Sequence, residues 1–253
     1  MPPVTTSRPA DATPRALSFN LGAREYRRAR PGYPRRAAEW LTPGPGSRVL
    51  DLAAGTGKLT ETLVTLEGVD VVAVEPSDAM RSELQDALPG VRALKGFAHD
   101  IPLPDADRDG VVVAQAWHWF DPATALPEIA RVLRPGGRLG VVWNVREHTV
   151  DWVQRFTEII HRGDSLEPNH GEPVLDERFT GLEHATFPWV HHMPAGDLRT
   201  LAASRSHLLT LPQDKREEIL DAVDELVATH PELRGKEWID LPYRAECWRA
   251  RRV

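Results

Sequence analysis

The sequence predicts a doubly wound α/β fold: a mainly parallel, seven-stranded sheet with helices on both faces and a helical cap over one end. Three observations predict it. Short apolar runs of strand length alternate with helical segments between Arg48 and Trp143, and the first run leads straight into a glycine-rich turn. The segments between runs are also long enough for parallel crossovers, which need about a dozen residues.

Met1 to Ala16 is rich in Pro, Thr, Ala and Arg without apolar periodicity and reads as a disordered tail. A helical patch at Ala23–Arg28 precedes Arg30-Pro31-Gly32-Tyr33-Pro34, whose prolines force an extended turn before a helix at Arg35–Leu41. Thr42-Pro43-Gly44-Pro45-Gly46 stops that helix. A regular alternation follows, with strands at Arg48–Leu52, Val71–Val74, Val91–Leu94, Gly110–Ala116 and Leu139–Trp143. The intervening helices are Leu59–Leu66, Ala79–Leu88 and Ala123–Leu133. Beyond Asn144 the rhythm loosens: Trp152–Arg162 is helical, and Gly163–Gly181 is polar and broken by Pro168 and Pro173. Leu182–His192 is a strand, Asp197–Leu209 and Asp214–His230 are amphipathic helices, and Trp238–Arg249 is a last strand. The chain therefore divides into a tail at 1–16 and a single domain at 17–253, its core at 17–144 and its cap helices and final strands at 145–253. Asp151–His230 would supply the cap over the substrate.

The 253 residues suit one substantial domain, able to bury about 70–75% of its unfolded surface without a disulfide or metal staple. Cys247 is the single cysteine, which excludes an internal disulfide or a four-thiolate zinc site and points to a reducing compartment. No run approaches the ~18 apolar residues of a membrane span, and no basic segment followed by an apolar run opens the chain. A cytoplasmic protein is expected, as a monomer or homodimer, with neither membrane nor nucleic acid as partner. The 31 basic residues, arginines but for four lysines, are scattered among 37 acidic ones and form no concentrated positive surface. His161, His170, His184, His191 and His192 lack metal-site spacing and read as surface residues, so no metal is expected; Cys247 reads as a small buried hydrophobe.

In an open parallel sheet, ligands sit at the carboxyl ends of the strands near the topological switch. The first strand runs into Asp51-Leu52-Ala53-Ala54-Gly55-Thr56-Gly57-Lys58-Leu59-Thr60. Gly55 and Gly57 let the backbone turn tightly and approach a ligand, while Asp51 puts a carboxylate beside that turn. A negative charge there disfavours a polyphosphate, which wants bare amide donors, and favours a cationic or amine-bearing ligand. The second strand ends at Glu75, near the ~20-residue spacing at which an acid accepts from ribose hydroxyls. Thr60 occupies the last position of a GxGxxG pattern, which tilts the reading away from a dinucleotide.

Six ordered blocks then carry a resemblance. They are Tyr26-x3-Arg30-Pro31-Gly32-Tyr33-Pro34, the Asp51–Thr60 loop, Val74-Glu75-Pro76-Ser77-Asp78-Ala79-Met80, Gly96-Phe97-Ala98-His99-Asp100-Ile101-Pro102-Leu103, Gln115-Ala116-Trp117-His118-Trp119-Phe120-Asp121 and Leu133-Arg134-Pro135-Gly136-Gly137. In order and spacing they resemble the class I S-adenosylmethionine-dependent methyltransferases, in the type 11 branch that includes trans-aconitate methyltransferase-like enzymes. The resemblance spans roughly Tyr26 to Asn144 and implies a Rossmann-like sheet, S-adenosyl-L-methionine as cofactor and S-adenosyl-L-homocysteine as product. It further implies that Asp51, Ala53, Gly55, Thr56 and Gly57 hold the methionine part and that Glu75 binds both ribose hydroxyls. Pro76 and Met80 would lie near the adenine, Ala98 and His99 would offer it backbone donors, and Asp100 would accept from its amino group. Tyr26, Arg30 and Gln115 complete the expected cofactor set.

Two positions depart from the family pattern. Ala53 stands where a glycine is more usual, which is tolerable if φ stays negative there. His99 stands where many relatives have Glu, which leaves the adenine contact to backbone or to Asp100.

On the substrate side, Tyr33, Trp117, Trp119 and Asn144 are the expected contacts, with Phe120 as a further wall. His118 follows the fourth strand directly and is the candidate general base, since imidazole titrates near neutrality; equally, it packs between Trp117 and Trp119 as a structural element. No Asn-Pro-Pro-Tyr or Asp-Pro-Pro-Tyr follows that strand, which speaks against methylation of a nucleobase amine. The expected function is methylation of a small organic molecule in bacterial-type secondary metabolism, at oxygen or else at nitrogen or carbon. Alternatives are a cofactor-binding protein that catalyses a non-methylating cyclisation or isomerisation, and NAD-dependent oxidoreduction.

Overall fold

The computed structural model describes residue 27 and residues 29–164 and 171–253. The tail at Met1–Ala16, Tyr26, most of the patch at Ala23–Arg28, and Pro168 and His170 lie outside the described residues.

Seven strands make one sheet: β1 (Arg48–Leu52), β2 (Asp70–Val74), β3 (Arg92–Leu94), β4 (Arg108–Ala114), β5 (Leu133–Arg146), β6 (Phe179–Pro194) and β7 (Trp238–Arg252). Their order is β3-β2-β1-β4-β5-β7-β6. The first five are mutually parallel, and β7 runs antiparallel between β5 and β6. The described helices are α1 (Arg35–Leu41), α2 (Lys58–Leu63), α3 (Asp78–Ala87), α4 (Pro122–Val132), α5 (Asp151–Ile160), α6 (Asp197–Ala203), α7 (Ser206–Thr210) and α8 (Gln213–Thr229), with a 3-10 turn at Trp117–Trp119. None of them is long and apolar enough to cross a membrane.

The inner strands are apolar without alternation because helices cover both faces of the sheet. Leu50, Leu52, Val72, Val74, Val111 and Val113 point into one core layer with Ile129 of α4. Val49, Val71 and Val112 point into the other, with Leu41, Leu59 and Leu63 of α1 and α2. From β1 the chain winds outward to β3 and then crosses back to β4 on the other side of β1. The switch point thus lies between β1 and β4, and the crevice opens at their carboxyl ends. Two helices there start on side-chain caps: Ser77 Oγ accepts from the Met80 amide at 3.2 Å, and Asp121 Oδ1 from the Ala123 amide at 3.3 Å.

Several boundaries differ from expectation, among them β6, which runs from Phe179 to Pro194, and three differences have a visible local cause. β4 ends at Ala114 because Gln115 takes φ +57° and leaves the strand. β5 is longer than Leu139–Trp143: Leu133 already pairs with Arg108, the Arg134–Gly137 stretch bulges out with Gly136 at φ +75°, and antiparallel β7 carries the pairing on to Arg146 opposite Tyr243. The helix expected over Asp197–Leu209 is two helices, since Ser204 Oγ donates back to the Leu201 carbonyl at 2.7 Å and Arg205 turns extended.

A third core cluster joins α5, α6, α7 and α8, through Phe156, Leu198, Leu208, Leu220 and Val223, to Met193, Leu241 and Tyr243 of β6 and β7. These helices therefore rest on the antiparallel end of the sheet, beside the crevice.

Candidate cofactor and substrate site

The turn after β1 is left-handed at three places: Ala53 at φ +58°, Gly55 at +58° and Gly57 at +82°. The condition on Ala53, a negative φ, is not met. A residue with a Cβ pays about 1–2 kcal/mol for this conformation, and the loop holds it by donating the Ala54 amide to the Val74 carbonyl at 3.1 Å. Gly57 is required on space as well, since a Cβ there would stand 2.8 Å from Leu84 Cγ of α3.

Two carboxylates flank this turn. Asp51 is fully buried; Thr60 Oγ1 donates to its Oδ2 at 2.6 Å, and its Oδ1 has no hydrogen-bond partner among the described residues. Burial, and secondarily the charge of Glu75, pushes the Asp51 carboxyl up to about 7 despite the Thr60 hydrogen bond. Glu75 is 6% exposed and accepts the Gly55 amide on Oε2 and the Ser77 amide on Oε1, each at 2.9 Å. Burial raises its pKa also, opposed by those two amides. Each Glu75 oxygen keeps one lone pair for a further donor.

A cavity of about 950 Å³ opens between the turn, β2, β4 and the segment before α1. Ala53, Gly55, Thr56, Glu75, Pro76, Met80, Ala98 and His99 line one end; Arg30, Tyr33, Gln115, Trp119, Phe120 and Asn144 line the rest. Gly57 and Asp51 sit behind this wall and shape it. Asp100 is also outside it, pairing through its backbone with Phe97 at 3.1 and 3.2 Å. Trp117 packs against Phe120 with ring centroids 5.8 Å apart. His118 is exposed and does not line the cavity; its ring lies 4.3 Å from that of Trp119 and 5.2 Å from that of Trp143.

The cavity has members that motif reading passed over. Phe97, 47% exposed, stacks on His99 at 5.3 Å at the rim. Its signal was present, an aromatic residue beside two expected adenine contacts, but exposure cannot be read from a single block. Lys58 and Thr124 also line the cavity. Burial outweighs the pull of Glu61 and holds the Lys58 ammonium below its ordinary pKa.

The segment before α1 crosses the cavity and is pinned at several points. Arg27 donates to the Thr56 carbonyl and to Glu61, and Arg30 to the Ser204 carbonyl at 3.0 Å. Asn144 Nδ2 donates to the Gly32 carbonyl at 2.8 Å and Thr62 Oγ1 to that of Tyr33 at 3.2 Å. The Asn144 side chain is itself fixed by Trp189 Nε1, which donates to its Oδ1 at 3.2 Å.

The histidines read as surface residues divide. His184 and His192 are exposed and pair with Glu246 at 2.9 Å and Asp240 at 2.8 Å, whereas His161 and His191 are half-buried, a correction that for His161 is explained by the break between α6 and α7, which brings Arg205 against it. Cys247 is buried, and burial pushes its thiol up to about 12.

A family model described as a methyltransferase domain matches residues 50–141, which hold the turn, both carboxylates and the switch point. A methyltransferase of Mycobacterium tuberculosis, itself uncharacterised, is 49% identical over 236 residues, covering 93% of this chain and 96% of that one. An uncharacterised methyltransferase-like protein of Schizosaccharomyces pombe is 33% identical over 236 residues, covering 90% and 92%. Among solved structures, a candidate type II methyltransferase from Anaeromyxobacter dehalogenans superimposes with a TM-score of 0.61 at 26% identity, over 88% of this chain and 97% of that one. With the crevice at the β1/β4 switch and its paired strand-end carboxylates, this likeness over nearly the whole length has one reading: the chain belongs to the class I methyltransferase family.

Proposed function

We infer that the protein is an S-adenosyl-L-methionine-dependent methyltransferase acting on a small organic molecule, at oxygen or else at nitrogen or carbon. The observation that carries the reading is one continuous cavity of about 950 Å³ with an acid-flanked glycine turn at one end and aromatic and polar side chains at the other. The residues fit the cofactor. Asp51 Oδ1 and Thr56 Oγ1 are buried polar atoms without hydrogen-bond partners among the described residues, beside a turn that would receive an amino-acid head group. Glu75 holds two lone pairs toward a diol, and Pro76, Met80, Phe97 and Ala98 offer an apolar slot for a planar base.

When bound, the cofactor supplies an electrophilic methyl group on a sulfonium, open to in-line displacement. The chain's own contribution is alignment and exclusion of water, and orientation of that kind is worth about 7–11 kcal/mol. Tyr33, Trp119 and Phe120 wall the side facing the substrate, and the segment pinned by Asn144 closes over it. His118, exposed and packed on two tryptophans, positions the loop that carries Trp119. In the same reading residues 17–144 hold the cofactor, the cap within 145–253 selects the substrate, and the buried free thiol of Cys247 suits a cytoplasmic setting.

Isothermal calorimetry with S-adenosylhomocysteine, followed by incubation with methyl-labelled cofactor and a panel of small hydroxy and carboxy compounds, tests the proposal. Saturable binding and label in an organic product are expected. Absence of binding overturns it.

A further inference from the structure

Where the cap meets the carboxyl end of β5, three arginines from separate parts of the chain converge. Arg30 comes from the segment crossing the cavity, Arg146 from the end of β5, and Arg205 from the break between α6 and α7. Arg30 lines the cavity and donates to the carbonyl of Ser204, which ties the cavity wall to the turn that carries Arg205. Arg146 Nε donates to Thr157 Oγ1 at 2.9 Å, and its guanidinium lies 5.5 Å from the centre of the Phe156 ring. Arg205 donates to Nε2 of His161, while its own Nε is buried with no hydrogen-bond partner among the described residues.

Among the described residues, neither Arg146 nor Arg205 forms an ion pair with a carboxylate. The nearest acid acting on Arg205, Asp164, stands 3.9 Å from His207. Among the neighbouring rings, Tyr243 of β7 hydrogen-bonds Arg146 and opposes the effect of burial on both guanidinium groups, whereas His161 supplies no counter-charge. Burial first, and then Arg205 and Arg146, push the His161 imidazole down to about 3, so it is neutral and accepts from Arg205. Burial, then Arg146 and Arg30, bring the Arg205 guanidinium down to about 9. Arg146 and Arg205 are each only half-buried as residues, and Arg30 beside them lines the cavity.

Desolvated guanidinium groups such as Arg146 and Arg205, with no ion-paired carboxylate among the described residues, are strongly unfavourable, and supplying a partner changes such a site most. The planar fork of arginine also matches the oxygen pairs of carboxylate and phosphate. We propose that Arg146 and Arg205, flanked by Arg30, form an oxyanion-anchoring subsite, and that the substrate is a small molecule bearing a carboxylate or phosphate group apart from the atom that is methylated. The separation follows from placement: Arg30 lines the cofactor cavity, whereas Arg146 and Arg205 are not in its lining and bond to Thr157 and His161, in α5 and at its end. The inference rests on the reading of that cavity as the methyl-transfer site.

Thermal denaturation of the whole protein, titrated separately with sodium malonate and sodium phosphate against sodium chloride at matched ionic strength, tests it. A saturable rise in Tm is expected with one oxyanion and not with chloride, and the oxyanion that acts identifies carboxylate or phosphate. In Arg146→Met and Arg205→Met the half-saturating concentration should rise roughly tenfold to a hundredfold, with S-adenosylhomocysteine affinity by calorimetry unchanged. If a Met variant does not fold, Arg205→Lys, which keeps the charge and loses the fork, should still weaken the response. No saturable response in the wild type, or an equal one in the variants, overturns the subsite. In the wild type, an absent oxyanion response with intact S-adenosylhomocysteine binding refutes this inference alone, whereas absent S-adenosylhomocysteine binding with an intact oxyanion response refutes the proposed function.

Discussion

Asp51 links cofactor binding to pH. Burial disfavours the charge and pushes its carboxyl up to about 7, and its Oδ1 has no partner among the described residues. A cationic amine held against the turn in front of this carboxylate favours its ionised form, so binding and deprotonation of Asp51 are coupled. If only the ionised form binds well, apparent affinity falls by a factor of one plus ten raised to the pKa minus pH. That amounts to about 30-fold at pH 5.5 and almost nothing at pH 8. The sign for stability is the opposite one. A carboxyl whose folded pKa lies above its unfolded value binds protons more tightly when folded, so its contribution is fully present below the unfolded pKa near 4 and is lost as pH rises toward 7. The shift from 3.8 corresponds to a contribution on the order of 4 kcal/mol. The assay is calorimetry of S-adenosylhomocysteine from pH 5.5 to 8 in the wild type and in Asp51→Asn, beside Tm over the same range. Affinity should rise with pH in the wild type and be nearly flat in Asp51→Asn, while wild-type Tm without ligand should fall. A flat wild-type profile, or a slope that survives in Asp51→Asn, refutes the coupling.

Glu75→Ala should remove hydrogen bonds to a charged acceptor worth about 1.5–3 kcal/mol, weakening S-adenosylhomocysteine binding by roughly 10- to 150-fold by calorimetry. Ala53→Gly should relieve the left-handed strain, offset in part by the entropy of the unfolded glycine, for a net gain of about 0.5–1 kcal/mol and a Tm higher by about 1–4 °C. Gly57→Ala should cost about 2–4 kcal/mol in a denaturant titration, from its positive φ and the close approach of Leu84. His118→Gln should change turnover by less than about tenfold, against the 10²–10⁴-fold loss that removal of a general base brings.

What could be read from the sequence was what the chain keeps local. β1, β2 and β4 are visible because both of their faces are buried, so their apolar runs are continuous. Asp51 and Glu75 are visible because Asp51 interrupts the apolar run of β1 near its end and Glu75 follows directly on that of β2. The full length of β5 is not, since pairing with β7, far along the chain, decides it. The break at Ser204-Arg205 is hidden because Leu198, Leu201, Ala202, Leu208 and Leu209 keep a helical apolar pattern across it. The conformation of Ala53 is opposite to what its side chain prefers and is imposed by the turn between β1 and α2. Arg30, Arg146 and Arg205 give no sequence signal together, being three arginines among many that only the topology brings side by side.

The pinning of the segment before α1 also bears on how such a chain can drift. Arg27, Arg30, Thr62 and Asn144 each fasten it by a side chain reaching a main-chain carbonyl, at Thr56, Ser204, Tyr33 and Gly32 respectively. A carbonyl is present whatever side chain the receiving residue carries. Positions 32, 33, 56 and 204 can therefore exchange side chains without releasing the fastening, while the four donors cannot. Divergence in the cavity wall and in the turn at Ser204 can reshape what the site admits while the cover stays anchored.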